Sequence, residues 1–151
     1  MVLRAIVVED LEAVSALCID AFTRAVAPSL SAQGIATFAQ IASADSFRSR
    51  MAGDNEILVM QDDAGLQGVV ELKQGRHLAM LFVAPDRQQQ GIGRALVAAA
   101  VERAREDVLT VSASLSSVPA YLRFGFARSG EIAESSGLVY QPMQKPLLAA
   151  S

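Results

Sequence analysis

The sequence contains one cysteine, Cys18, and one histidine, His77. A single thiol excludes an internal disulfide. One thiol and one imidazole exclude the familiar zinc patterns, which draw three or four ligands from such residues. Positive charge is also scarce. Lys and Arg number 13 against 16 Asp and Glu, a net charge of −3. That excludes the clustered basic footprint of a nucleic-acid binder, while leaving room for a local basic groove around a phosphate-bearing cofactor. No apolar run is long enough to span a membrane. The opening MVLRAIVVEDLEAV places acids directly after a short apolar stretch, unlike a signal or transit peptide. These absences point to a cytoplasmic, reducing setting. Cys18 reads as a buried small hydrophobe rather than a nucleophile, because nothing near it in sequence would lower its pKa.

What is present suits a packed core. The chain has 151 residues, 52% hydrophobic and 19% charged, and reads as one domain over 1–151. Leu3–Val8 is a short β-branched strand. Asp10 then suits the N-cap of a helix carrying Leu11, Val14, Leu17 and Ala21 on one face. Ile35–Met51 reads as a second, irregular helical region. Strands follow at Ile57–Met60, Leu66–Lys73 and His77–Val83, the last two joined by a two-residue loop at Gln74-Gly75. A long helix runs from Ile92 to about Arg105, and its segment ALVAAAV is apolar nearly all round, as a buried helix requires. Val108–Ala113 is a strand, Ser117–Phe124 a short helix, and Phe126–Ile132 and Leu138–Met143 two further strands. This order implies a mixed sheet with helices on both faces, not a doubly wound parallel sheet.

The stretch QQQGIGRAL, Gln88–Leu96, places two glycines at the start of the long helix. A dinucleotide fingerprint needs a third glycine where Leu96 stands, and a Walker loop needs Gly-Lys-Ser/Thr. Two readings remain. One is a plain turn into a helix. The other is a pyrophosphate cradle of backbone N–H groups at a helix N-terminus, which needs an absence of bulky side chains, a helix dipole and nearby positive charge. Gly91, Gly93 and Arg94 supply these.

The flanking segment HLAMLFVAPDRQQQGIGRALV resembles the acetyl-CoA-binding motif of the GNAT acetyltransferase superfamily: a strand ending in V-x-P, then Q/R-x-x-G-x-G/A opening a helix. Gln88, Gly91 and Gly93 take its specified places. Downstream, ASLSSVPAYLRFGF resembles the family's later motif, with Tyr121, Gly125 and Phe126 in the fixed positions. The resemblance implies a single GNAT domain of α/β (α+β) type, with a mixed, mostly antiparallel sheet of six to seven strands and helices on both faces. It implies an N-acetyltransferase that uses acetyl-CoA as co-substrate, without a metal, and acts on a primary amine of a small molecule or peptide. A homodimer is consistent with it, because late strands of this family often pair between subunits.

Residue by residue, the resemblance implies that the backbone of Leu81, Phe82 and Val83 pairs with the pantetheine arm, with the Leu81 N–H as oxyanion donor. The N–H groups from Gln89 through Gln90, Gly91, Ile92 and Gly93 to Arg94 would hold the pyrophosphate, with the side chain of Arg94 or Arg87 adding charge. Ser114 stands where many members carry an asparagine that helps hold the cofactor, and serine reaches less far. Tyr121 would be the general acid for the departing thiolate. An ammonium with a pKa of about 10 must also lose a proton before it can attack. His77 stands where several relatives carry a catalytic glutamate, and strand alternation places it on the face of Ala79, Leu81 and Val83. Glu71 is the rival base, expected on the opposite face; a surface carboxylate and a water chain are the other readings. Asp45, Arg48 and Arg50 read as a solvated helix face that could bind a charged acceptor. Tyr140 reads as core or rim. The competing function is a domain that binds acyl-CoA as a sensor without turnover.

Overall fold

The computed structural model of the protein describes residues 1–87 and 91–147. Its strands are β1 (Val2–Ala5), β2 (Asn55–Asp62), β3 (Gly65–Lys73), β4 (His77–Val83), β5 (Val108–Ser114), β6 (Ala127–Arg128), β7 (Ala133–Ser135) and β8 (Leu138–Pro146). Its helices are α1 (Leu11–Ala25), α2 (Ala32–Ile41), α3 (Ala44–Met51), α4 (Ile92–Arg103) and α5 (Val118–Arg123). The eight strands form one sheet in the order β1-β2-β3-β4-β5-β8-β6, with β7 also on β8. All pairs are antiparallel except β4 with β5. The mixed, mostly antiparallel sheet with helices on both faces is thus as expected, with one strand more than the six to seven anticipated. The added β7 is three residues long, and two of the three are exposed, so it carries no apolar alternation to announce it. No helix among the described residues is long and apolar enough to cross a membrane.

Alternation along the central strands divides the core. Leu58, Met60, Val70 and Leu72 point to one face, where Ile92, Leu96, Val97, Ala99 and Ala100 of α4 cover them. Ile57, Val59 and Val69 point to the other, under Leu11, Val14, Cys18 and Phe22 of α1, Phe38 of α2 and Phe47 of α3. Each buried aliphatic side chain contributes roughly 1.5–3 kcal/mol, so the central ladder β2–β3–β4 is the most strongly held part of the sheet.

The irregular helical region resolves into two helices, each with its own serine cap. Ser31 Oγ accepts from the Gly34 N–H at 3.2 Å and Ser43 Oγ from the Ser46 N–H at 3.2 Å. Asp10 differs from its expected role. It stands at the head of α1 but accepts from the Val7 N–H at 2.9 Å and from both terminal nitrogens of Arg4 at 2.7 and 2.9 Å, and so ties β1 to the turn before the helix.

The β3–β4 hairpin corrects a second expectation. Its loop has three residues, Gln74-Gly75-Arg76, with Gln74 (φ 54) and Gly75 (φ 65) both left-handed. Lys73 therefore opposes His77, Leu72 opposes Leu78, and Glu71 opposes Met80. Ala79 is left over as a bulge. A bulge bends its strand and shifts the alternation by one, with consequences for the site.

Candidate active site

β4 and β5 run parallel for two residue pairs only, His77 with Thr110 and Leu78 with Val111. Beyond them the bulged β4 diverges, and a wedge opens in the middle of the sheet. Alternation of the β3–β4 ladder decides which backbone groups face it. The Ala84 N–H donates to the Gln67 carbonyl at 2.9 Å, so Ala84 and Phe82 direct their backbone groups toward β3. Leu81 and Val83 direct theirs toward the wedge. The expected three-residue edge is interrupted at Phe82, whose backbone faces β3 and which lines both cavities.

Two cavities meet in this wedge. One, of about 670 Å³, lies between α1, the end of β4, the start of α4, and α5. The other, of about 460 Å³, lies between β4, β5, α2 and the β7–β8 hairpin. Val26, Leu81, Phe82, Ser117 and Tyr121 line both.

The larger cavity lies against the glycines that open α4. Gly91 caps α4 with φ 81, a conformation that costs other residues about 1–2 kcal/mol. No described side chain caps that end. The first intrahelical bond is Ala95 N–H to Gly91 O at 3.0 Å, so the N–H groups of Ile92, Gly93 and Arg94 precede it. Gly91, Gly93 and Arg94 line the cavity, and a Cβ at Gly93 would stand 3.4 Å from Phe124 Cζ. The Arg94 guanidinium lies 5.6 Å from the Phe124 ring centre. Arg87 is directed elsewhere, 3.5 Å from Asp62, and Arg123 supplies the groove's second cation. Open N–H donors, a helix dipole, two guanidinium groups and no carboxylate on the described wall fit a nucleotide pyrophosphate. Gln88, Gln89 and Gln90 lie outside the described residues.

Tyr121 is 7% exposed and sits where the cavities join. Phe126 and Phe124 meet its ring edge-on at 5.3 and 6.1 Å. Burial pushes its phenol well above the ordinary range, so it stays protonated. Ser114 lines only the smaller cavity, and its hydroxyl lies 2.6 Å from that of Ser117, which lines both. Ser117 and Arg123 are thus wall residues that sequence reasoning did not single out. Both lie within the later motif, apart from the positions that Tyr121, Gly125 and Phe126 take.

The two candidate bases are placed differently from expectation. The bulge at Ala79 separates His77 from the alternation of Leu81 and Val83; opposite Lys73, it shares the face of Glu71. Its Nδ1 lies 2.7 Å from Thr110 Oγ1 at the closed end of the wedge, about 13 Å of strand from Leu81. It lines neither cavity. Burial, then Lys73 and Arg76, lowers its pKa. Glu71 is fully buried, not a surface carboxylate. Its Oε2 accepts from Arg50 Nε at 2.7 Å and from Asn55 Nδ2 at 2.6 Å. Arg50, expected on a solvated face, instead pins α3 to the sheet and donates to the Ile41 carbonyl at 2.9 Å. Cys18 lies in the same layer, and burial followed by the charge of Glu71 raises its pKa. Neither cavity is lined by Asp, Glu or His among the described residues.

A family model described as an acetyltransferase (GNAT) domain matches residues 26–147. Comparison with curated protein sequences returns no match. Solved structures share the fold. A GCN5-related N-acetyltransferase from Rhodopseudomonas palustris is similar at 23% identity and a TM-score of 0.85, over 97% of this chain and 95% of that one. The PaiA N-acetyltransferase from Thermoplasma acidophilum, solved with coenzyme A, is similar at 22% identity and a TM-score of 0.78, over 96% and 98%. A ribosomal-protein-alanine N-acetyltransferase from Brucella melitensis gives 23% identity and a TM-score of 0.69, over 97% and 100%. A domain match across most of the chain, on a sheet opened between its two parallel strands, places the protein in the GNAT acetyltransferase family.

Proposed function

We propose that the protein is an acetyl-CoA-dependent N-acetyltransferase acting on a primary amine by direct attack on the thioester. The observation that carries this reading is the junction of the two cavities at Leu81 and Tyr121. A cofactor arm lying along the groove from α4 and an amine entering through the smaller cavity would meet there.

Bound acetyl-CoA supplies the electrophilic acetyl group and a thiolate leaving group. The chain's residues do the rest. The N–H groups of Ile92, Gly93 and Arg94 hold the pyrophosphate, with Arg94 and Arg123 adding charge. Leu81 holds the amide-bearing arm as an added strand would be held. The Leu81 N–H donates to the carbonyl oxygen as negative charge builds on it. The amine nitrogen forms its bond to the acetyl carbon, the carbon–sulfur bond breaks, Tyr121 Oη donates its proton to the departing sulfur, and the proton that the acylated nitrogen sheds returns through water to the phenolate. Burial raises the phenol, and the same apolar surroundings raise a departing thiol. The surplus proton of the ammonium leaves through water, since among the described residues no imidazole or carboxylate lines either cavity. A cytoplasmic setting belongs to the same proposal, supported by the lone buried thiol of Cys18.

The missing base also favours a second reading, an acyl-CoA sensor without turnover. Release of free CoA with a panel of amines separates the two. Turnover that is strongly reduced in Tyr121→Phe supports the enzyme. Calorimetric binding of acetyl-CoA with no thiol release on any amine supports the sensor.

A further inference from the structure

The smaller cavity is rich in rings and hydroxyls, and no Asp, Glu, Lys, Arg or His lines it among the described residues. Phe22 stacks on Phe38 with ring centres 3.9 Å apart, and Phe82 meets Phe38 edge-on at 5.4 Å. The polar groups beside them are hydroxyls, and that of Thr37 is already donated to the Ser136 carbonyl at 2.7 Å. The seven residues outside the described ones, Gln88–Gln90 and 148–151, include no acidic side chain. Glu71, fully buried on the same sheet face opposite Met80, does not line the cavity, and its Oε2 is bound to Arg50 and Asn55.

We propose that the acceptor is a monoamine, one amino group on an apolar aliphatic or aromatic body, and not a polyamine or other polycation. This rests on the acetyl-transfer reading above. An ammonium taken out of water without a counter-charge is unfavourable. The reacting ammonium escapes that penalty by losing its proton, because desolvation favours its neutral form, and the neutral form is the nucleophile. A second ammonium held within the cavity has no such escape, and no carboxylate among the described lining residues pairs with it. The wall that excludes polycations therefore also prepares the reacting nitrogen. This accounts for transfer without a dedicated base.

Hexylamine and 1,6-diaminohexane differ only in the distal ammonium, and 2-phenylethylamine tests the aromatic body. Thiol release is followed for all three and for spermidine, with acetyl-CoA binding measured separately by calorimetry. The two monoamines are expected to exceed the diamine and spermidine in kcat/KM by about tenfold or more. Ile41 lines the cavity and is 36% exposed, so Ile41→Asp tolerates a charge there; it is expected to narrow the hexylamine-to-diamine ratio to about threefold or less. Equal or better use of the diamine or spermidine by the wild type overturns the proposal. So does acetyl-CoA binding with no turnover of either monoamine, which leaves the cofactor assignment standing. Absence of acetyl-CoA binding overturns the underlying reading itself.

Discussion

Replacing Tyr121 by Phe removes one oxygen from the wall that the two cavities share, and little else, since the ring keeps its edge-on contacts with Phe124 and Phe126. We expect kcat to fall by about 10²-fold or more while acetyl-CoA affinity is retained; steady-state kinetics and calorimetry on the same preparation check both. His77 and Glu71 predict the opposite pattern. His77→Gln should leave kcat/KM within about threefold and its pH profile unchanged in shape, whereas loss of a true base costs about 10²–10⁴. Glu71→Gln should act on stability instead. Breaking a buried ion pair costs about 3–5 kcal/mol, and Arg50, with 25% of its side chain exposed, brings this toward the low end. Denaturant unfolding of the variant measures it. The fate of these residues shows what could be read in advance. The place of Tyr121 on the wall of both cavities was legible because it stands at a fixed spacing in the family's later motif. Glu71 was not, because the partner that neutralises it, Arg50, lies 21 residues away on a separate helix, and no local pattern distinguishes a buried carboxylate from a solvated one.

At the scale of elements, α4 and the β7–β8 hairpin make separable predictions. Gly93→Val places methyl groups in the groove beside Phe124, and we expect acetyl-CoA affinity to fall about tenfold or more, with the fold retained, as read by calorimetry and circular dichroism. On the other side, α2 lies directly on the hairpin turn. A Cβ at Gly34 would collide with the Gly137 carbonyl, and Gly137 itself has φ 85 with its own Cβ position 2.8 Å from Gly34 Cα. Gly137→Ala should therefore move α2 away from the hairpin, raising KM for the amine several-fold while acetyl-CoA affinity stays within about twofold. β1 offers a pH test. Arg4 holds the Asp10 carboxyl below the ordinary carboxylate range. Its contribution is thus present at neutral pH and lost as pH falls through that lowered value. The stability gap between the wild type and Asp10→Asn should close in acid, a trend visible in thermal unfolding across pH. The limits of β4 were legible to the residue, because Pro85 and the hairpin glycine bound an apolar run. The bulge at Ala79 was not. A single inserted residue reverses every later side chain without altering composition, and that reversal separated His77 from the site.

The molecule as a whole is a sheet held strongly on one side, through β2, β3 and β4, and left open at its middle. Both cavities exist because β4 and β5 part after Leu78 and Val111. The central claim is that main-chain N–H groups on the two edges of that opening grip the cofactor: Leu81 on the strand, and Ile92, Gly93 and Arg94 at the head of α4. Residue-resolved amide hydrogen exchange, recorded with and without saturating acetyl-CoA, tests this most directly. The account predicts that these four amides gain protection together, while the amides of the β5–β8 ladder far from the wedge change little. Unaltered exchange at all four with acetyl-CoA demonstrably bound would contradict it.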